Sequence, residues 1–287
     1  MWKDKAIRIL LWGAASTSIL VVALIFIFLG KEAFSFIADP GLDQLFSRHW
    51  IPVSFTQEQY GIYPMIVGSA LITILATVIM IPFGVFGALY ISEFASYTER
   101  EILKPFIEIL AGIPSVVIGF FGLIVLSPMV KNLFGLDTGL TALTGALLLA
   151  LMAIPTVISI SEDAIRSVPR AYKEASLALG ASHLQTSFRV VTPAALPGII
   201  AAIMLGMGRV VGETMVVLMV TGNAAKITLS PFDSVRTMTA TIAAEMGEVA
   251  FGSTHYAALF WVGIVLLITT FGLNMVAQHV LKKYQMR

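Results

Sequence analysis

The sequence has no cysteine. That excludes disulfides, thiolate metal ligands and cysteine nucleophiles. It is also poor in charge. Only 12% of its residues are Asp, Glu, Lys or Arg, against about 25% in an ordinary soluble domain. The two signs nearly balance at a net +1, so no bulk basic field points to nucleic acid. Four histidines, His49, His183, His255 and His279, are scattered without metal-ligand spacing, and no metal site is expected. No Gly-x-x-x-x-Gly-Lys-Ser/Thr phosphate loop occurs, so ATP hydrolysis by this chain has no motif to rest on. Gly-x-Ser-x-Gly and His-Glu-x-x-His are absent too, which leaves a membrane-embedded enzyme without support.

What is present is apolar. Hydrophobic residues make up 57% of the chain, and the mean hydropathy is +0.90. They gather in blocks of about twenty or more, the length a helix needs to cross about 30 Å of hydrocarbon. Six spans are expected, near 8–30, 63–92, 106–130, 139–160, 194–220 and 256–281. Pro82 and Gly84 interrupt the second and Pro114 the third; such residues are tolerated where neighbouring helices satisfy the freed backbone. The first span, preceded by Lys3, Lys5 and Arg8, is too long for a signal-peptide core and lacks an Ala-x-Ala site, so it reads as a retained helix. The expected fold is therefore all-α and polytopic. Residues 1–62 supply a tail, the first helix and a loop; residues 63–287 form the main membrane domain. Within the 31–62 loop, Trp50, Tyr60 and Tyr63 suit a membrane–water interface. The 221–255 connection is expected to hold a short helix near 233–248.

Lys and Arg are unevenly distributed. With the amino terminus inside, the inner segments hold Lys3, Lys5, Arg8, Arg100, Lys104, Arg166, Arg170, Lys173, Arg189, Lys282, Lys283 and Arg287. The outer ones hold only Lys31, Arg48, Lys131, Lys226 and Arg236. The positive-inside rule then places both termini, and the 161–192 loop, in the cytoplasm.

That loop carries its own helical pattern. Val168, Tyr172, Ala175 and Leu179 fall on one stripe, with Arg170, Lys173 and Glu174 off it. Ser167 is the expected N-cap, Pro169 suits the first turn, and Gly180 suits the stop. The residues leave two uses open: a helix lying on the lipid surface, or a docking surface for a cytoplasmic partner.

Arg209 and Glu213 are the most conspicuous side chains. Both fall within the fifth span, four residues apart, on one face of a helix that could pair them. A charge at that depth costs at least about 2.5–3.5 kcal/mol, so it should face protein or water. Gly208 and Gly212 lie alongside as a small-xxx-small pair that lets another helix approach. The pair could be a structural lock, or it could line an anion pathway. Ser115 and Thr214 could donate to an oxyanion, or bond back to their own helices.

Two groups of motifs carry a resemblance. Glu174-Ala175-Ser176, then Gly180, then Pro193 resembles the Glu-Ala-Ala loop of ABC importer permeases, departing at Ser176, Val190 and Thr192. Gly208-Arg-Val-Val-Gly-Glu-Thr-Met215 resembles the corresponding segment of phosphate permeases of the PstC type, with Val210 in place of Ala. Val220-Thr-Gly-Asn223 and Ala111-Gly-Ile-Pro-Ser-Val-Val-Ile-Gly-Phe-Phe121 resemble the same subunit. The resemblance implies a type I importer permease of MetI-like fold in a bacterial or archaeal inner membrane. It implies a coupling helix in which Tyr172, Glu174, Ala175 and Gly180 meet an ATPase, Glu174 making polar contacts about the turn and the apolar stripe anchoring the loop. Arg209, Glu213 and Thr214 would lie on the substrate pathway, with Gly208, Gly212 and Pro114 serving helix packing. It further implies a second permease (PstA type), two copies of an ATP-binding subunit (PstB type) and a phosphate-binding protein outside (PstS type). ATP and magnesium would belong to the ATPase, with no cofactor in this chain. A permease for molybdate, tungstate or sulfate is the nearest alternative. An ion-driven secondary transporter or a non-transporting scaffold stands further off.

Overall fold

A computed structural model describes residues 2–38, 41–54 and 56–285; Arg287, counted above among the inner cations, lies outside them. In chain order, α1 spans Trp2–Ala38, followed by a two-stranded hairpin of β1 (Trp50–Ile51) and β2 (Gln59–Tyr60), then α2 (Tyr63–Leu89) and α3 (Tyr97–Gly112). Next come α4 (Ser115–Phe121), α5 (Ser127–Phe134), α6 (Ala142–Arg166) and α7 (Arg170–Ala178). The chain closes with α8 (His183–Thr186), α9 (Thr192–Gly212), α10 (Met215–Val220), α11 (Met238–Glu245) and α12 (Thr254–Gln285). Turns of π-helix at Tyr90–Phe94, Gly122–Leu126 and Ser187–Val191 extend α2, join α4 to α5 and join α8 to α9.

Among the described residues six helical stretches are long and apolar enough to cross a membrane: Ile7–Ile37, Tyr63–Phe94, Ser115–Phe134, Ala142–Arg166, His183–Gly212 and Thr254–His279. The expected six spans are therefore present, with revised bounds; the fifth begins at His183 and the fourth runs on to Arg166. The first helix continues to Ala38. The third span begins at Ser115, because the chain breaks at Ile113–Pro114, where both residues are extended. Pro114 is thus the exposed N-cap of α4 rather than a residue inside a span. The fifth helix stops at Gly212, and α10 is a separate short helix.

The bundle centres on α6, which packs between α2 and α9. The buried face of α2 is built on one i+4 row, Gly68, Ile72, Ala76, Met80, Gly84 and Ala88, with Met65 and Leu89 buried beside it at the ends. Small residues matter here because lipid offers no hydrophobic drive between helices, and close van der Waals packing must supply it. A Cβ on Gly84 would lie 2.5 Å from a methyl of Val157, and one on Gly206 of α9 would lie 2.8 Å from another. Three helices therefore converge on Val157. Gly208 and Gly212 make no such approach to another helix of this chain: a Cβ on either would meet nothing within 4 Å. The close approach within the chain occurs at Gly206, and both glycines of the expected pair are exposed.

Two further clusters close the ends of the bundle. At the α7 end, Ala88, Leu89, Ile165, Val168, Val191 and Ala195 pack together. At the far end, Phe36, Trp50, Tyr60, Met65, Met238 and Leu259 do so. Trp50 and Tyr60 are accordingly buried, not interfacial as expected; of the three aromatics only Tyr63 is exposed. The short helix expected near 233–248 is α11.

Candidate functional site: a broken helix and a docking turn

The fifth span ends where the sequence pattern continued. Glu213 is extended, with ψ 134°, so the α-helical turn that would bring it under Arg209 does not form. Its carboxylate instead turns forward and accepts from the backbone N–H groups of Met215 (3.0 Å) and Val216 (3.3 Å). An anion on these N–H groups suits the positive end of α10. Thr239 donates to the Glu213 carbonyl (2.8 Å), satisfying a backbone group that the break releases. Glu213 also lines a narrow crevice with Ser69, Thr73, Thr237 and Thr239. Those hydroxyls were not legible as site residues, because they come from two elements, α2 and the start of α11, that lie far from each other and from Glu213 along the chain. Thr214 bonds back to Gly212 O at 3.4 Å.

The expected Arg209–Glu213 pair is therefore not made. The Arg209 guanidinium reaches Thr156 Oγ1 and Ala111 O, each at 3.4 Å, and is exposed on the flank of the bundle. Thr156 lies in the middle part of α6, so the cation is held at mid-depth. Two long hydrogen bonds to neutral groups leave most of its donors available. Such a group in a bilayer must face another protein surface or water.

At the other end, α7 forms with Pro169 as its N-cap residue. Ser167 does not cap it; its hydroxyl bonds to Ala164 O at the end of α6. Gly180 has φ +86°, the left-handed conformation that a Cβ disfavours. The N–H groups of Gly180 and Ala181 close the turn onto Leu177 O and Ser176 O. The expected stripe does not anchor the loop. Val168 is buried, but Tyr172 is 55% exposed and Leu179 90% exposed. Polar groups hold the helix down instead: Lys173 pairs with Glu93, and Ser176 bonds to Thr186 Oγ1 at 2.9 Å. The opposite face is left open, and it includes Tyr172, Glu174, Ala175 and Leu179. Glu174 has no hydrogen bond or ion pair among the described residues.

Two charged hubs complete the picture. Glu162, 1% exposed near the α7 end of α6, meets Lys104 (3.1 Å), Arg166 (3.4 Å) and Arg100 (3.9 Å). Glu245, at the end of α11, binds Arg236, His255 and the Trp50 indole. Burial opposes ionisation of Glu245, but the His255 contact, the Arg236 charge and the Trp50 N–H outweigh it and hold the carboxyl below the ordinary glutamate range. A depressed folded value means stabilisation is present above the unfolded value and is lost as pH falls through the folded one. The hairpin at the far end should therefore loosen in acid, below the ordinary carboxylate range. Glu245→Gln should weaken it already at neutral pH, by about 1.5–3 kcal/mol for charged hydrogen bonds, and flatten the acid dependence. Trp50 emission, isolated by difference against Trp50→Phe, reads both effects.

Comparison with known proteins places this geometry among transport proteins. A family model described as "Binding-protein-dependent transport system inner membrane component" matches residues 80–283. The chain is 39% identical over 267 residues to a probable ABC transporter permease protein, YqgH, of Bacillus subtilis, covering 92% of this chain and 86% of that one. It is 32% identical over 290 residues to the phosphate transport system permease protein PstC of Mesorhizobium japonicum, covering 92% and 88%. Among solved structures, a bacterial ABC transporter involved in alginate import superposes with a TM-score of 0.67 at 16% identity, over 98% of both chains. An inward-facing methionine transporter, MetNI, gives 0.58 at 20% identity, over 78% of this chain and 94% of that one. At those identities the structural likeness concerns the fold alone.

Proposed function

This chain belongs to the family of binding-protein-dependent transport system inner membrane components, and on that premise we propose that it is a permease subunit of an ATP-driven importer of inorganic phosphate. The observation that carries the reading is Arg209. It is a cation held at mid-depth on the flank of the bundle, with no carboxylate partner among the described residues. An anion crossing hydrocarbon needs donors to replace its hydration, and that position supplies them without a neutralising partner. The similarity to phosphate permeases extends over nearly the whole chain and supports phosphate as the anion.

The exposed face of α7, with Tyr172, Glu174, Ala175 and the Gly180 turn, docks on a separate ATPase that binds ATP and magnesium. A short stiff helix of this kind transmits a rigid displacement. The α7 end then lies in the cytoplasm together with both termini, in accord with the Lys and Arg distribution. The Arg209 flank, with the open Gly208 and Gly212 surface, faces a second, homologous permease, so that the anion passes between the two chains. A binding protein delivers phosphate to the far end, near the hairpin and α11. ATP-driven closure of two ATPase copies moves α7 and alternates access.

The test is uptake of labelled phosphate by the complex reconstituted with its second permease, ATPase and binding protein. ATP-dependent accumulation should be competed by excess phosphate and not by molybdate, tungstate or sulfate. Accumulation of one of those anions in place of phosphate would reassign the substrate while leaving the permease reading intact.

A further inference from the structure

Resting on that reading, we propose that α3 is the rod that carries displacement of α7 to Arg209, and that the Lys173–Glu93 ion pair is its input. The contacts form a continuous series. Lys173 on α7 holds Glu93, whose side chain is 4% exposed, in the π-helical turn that ends α2. Carbonyls of the same turn, Ile91 O and Ser92 O, accept from the Arg100 guanidinium of α3 at 2.6 and 3.1 Å. At the other end of α3, Ala111 O accepts from Arg209. The whole helix is 16 residues, and the stretch from Arg100 to Ala111 is roughly 16 Å of nearly incompressible rod at about 1.5 Å per residue.

Three features suit α3 to movement as a unit. Its first turn is stiffened by a reciprocal capping box: Glu99 N–H donates to Ser96 Oγ, and Ser96 N–H to the Glu99 carboxylate. Both ends are hinged by extended residues, Ala95 and Ser96 before it, Ile113 and Pro114 after it. No residue of α3 is fully buried; Leu103 and Ile107 rest half-buried against the cluster at the α7 end, so displacing the helix disturbs only partly buried apolar contacts. Its polar attachments to the bundle, Arg100 and Lys104 on Glu162, can re-form after a small shift. Lys173 points away from the exposed docking face of α7, so its role is positioning rather than contact with the ATPase.

The experiment is a charge-reversal cycle in the reconstituted complex: Lys173→Glu, Glu93→Lys and the double exchange. ATP hydrolysis and uptake are measured on whichever anion the unaltered complex carries, so a wrong substrate assignment does not confound the result. Each single reversal should lower anions imported per ATP hydrolysed at least tenfold, and the exchange should restore most of the ratio. Should a reversal prevent assembly, Lys173→Met and Glu93→Gln give the same ratio under milder change, with a loss of about threefold or more expected. An unchanged ratio in the single variants, or an assembled exchange variant that recovers nothing, would overturn the role of α3.

Discussion

Arg209→Gln should cut ATP-driven anion uptake by about ten- to a hundredfold in a complex that still assembles. A hydrogen bond to a charged group is worth about 1.5–3 kcal/mol, and each 1.4 kcal/mol is a factor of about ten. Glutamine retains donors but loses the charge and the planar fork that meets an oxyanion with two parallel bonds. Assembly should survive, because among the described residues Arg209 makes only two long hydrogen bonds, and it is not buried. Glu213→Gln should behave differently. Its Oε1 serves as a neutral-compatible acceptor for Met215 and Val216, and an amide oxygen can accept the same bonds. Uptake should fall by no more than about fivefold, the worth of a weakened helix-end charge of roughly 0.3–1 kcal/mol. The two substitutions should also be nearly additive, since their side chains do not touch. Uptake of labelled phosphate by the single and double variants checks all three statements. Equal losses in both single variants, with no further loss in the double, would instead mean that the two act as one pair.

Glu162→Leu should destabilise the α7 end and uncouple α3 from α6. The carboxylate is 1% exposed and is the common partner of Arg100, Lys104 and Arg166. Removing one member of a buried charge group costs about 3–5 kcal/mol when the partners stay buried. Here Lys104 and Arg166 are about a third to a half exposed and can turn to water, so about 1–3 kcal/mol is expected. Arg100 is the most enclosed of the three, and its Nε has no hydrogen bond inside the protein. Glu162→Gln should recover part of the loss by keeping an acceptor. Detergent-solubilised thermal unfolding reads the change, and limited proteolysis within 93–112 should accelerate in the leucine variant. Unaltered unfolding and proteolysis would show the hub to be dispensable.

The structure sharpens why some features were legible beforehand and others not. Six spans could be read because length and hydropathy are local properties, and the bilayer enforces them on every crossing segment. The breaks at Ile113–Pro114 and at Gly212–Glu213 could not, since the apolar pattern runs on through both. The second break persists because Glu213 and Thr239 satisfy the released backbone groups, and Thr239 is 26 residues away in the chain. The helix in the 161–192 loop was also legible, but its orientation was not. The apolar stripe at Tyr172 and Leu179 suggested an anchored face, whereas Glu93, 80 residues away from Lys173, holds the helix the other way round. Trp50 and Tyr60 looked interfacial because an amphipathic ring in a loop suits that position. They are buried because Glu245, Phe36 and His255 gather around them from α1, α11 and α12.

The amino-acid sequence by itself determined that this chain lies in a membrane, how many times it crosses, and that it turns sharply at Gly180, because apolar length and backbone freedom are properties of neighbouring residues. Only the tertiary structure decided what each charge faces. Arg209 looks outward, Glu213 caps α10, Glu162 gathers three cations and Lys173 reaches Glu93. An ion's partner is whichever opposite or polar group the packed helices bring within a few ångströms, and most of these partners lie far away along the chain.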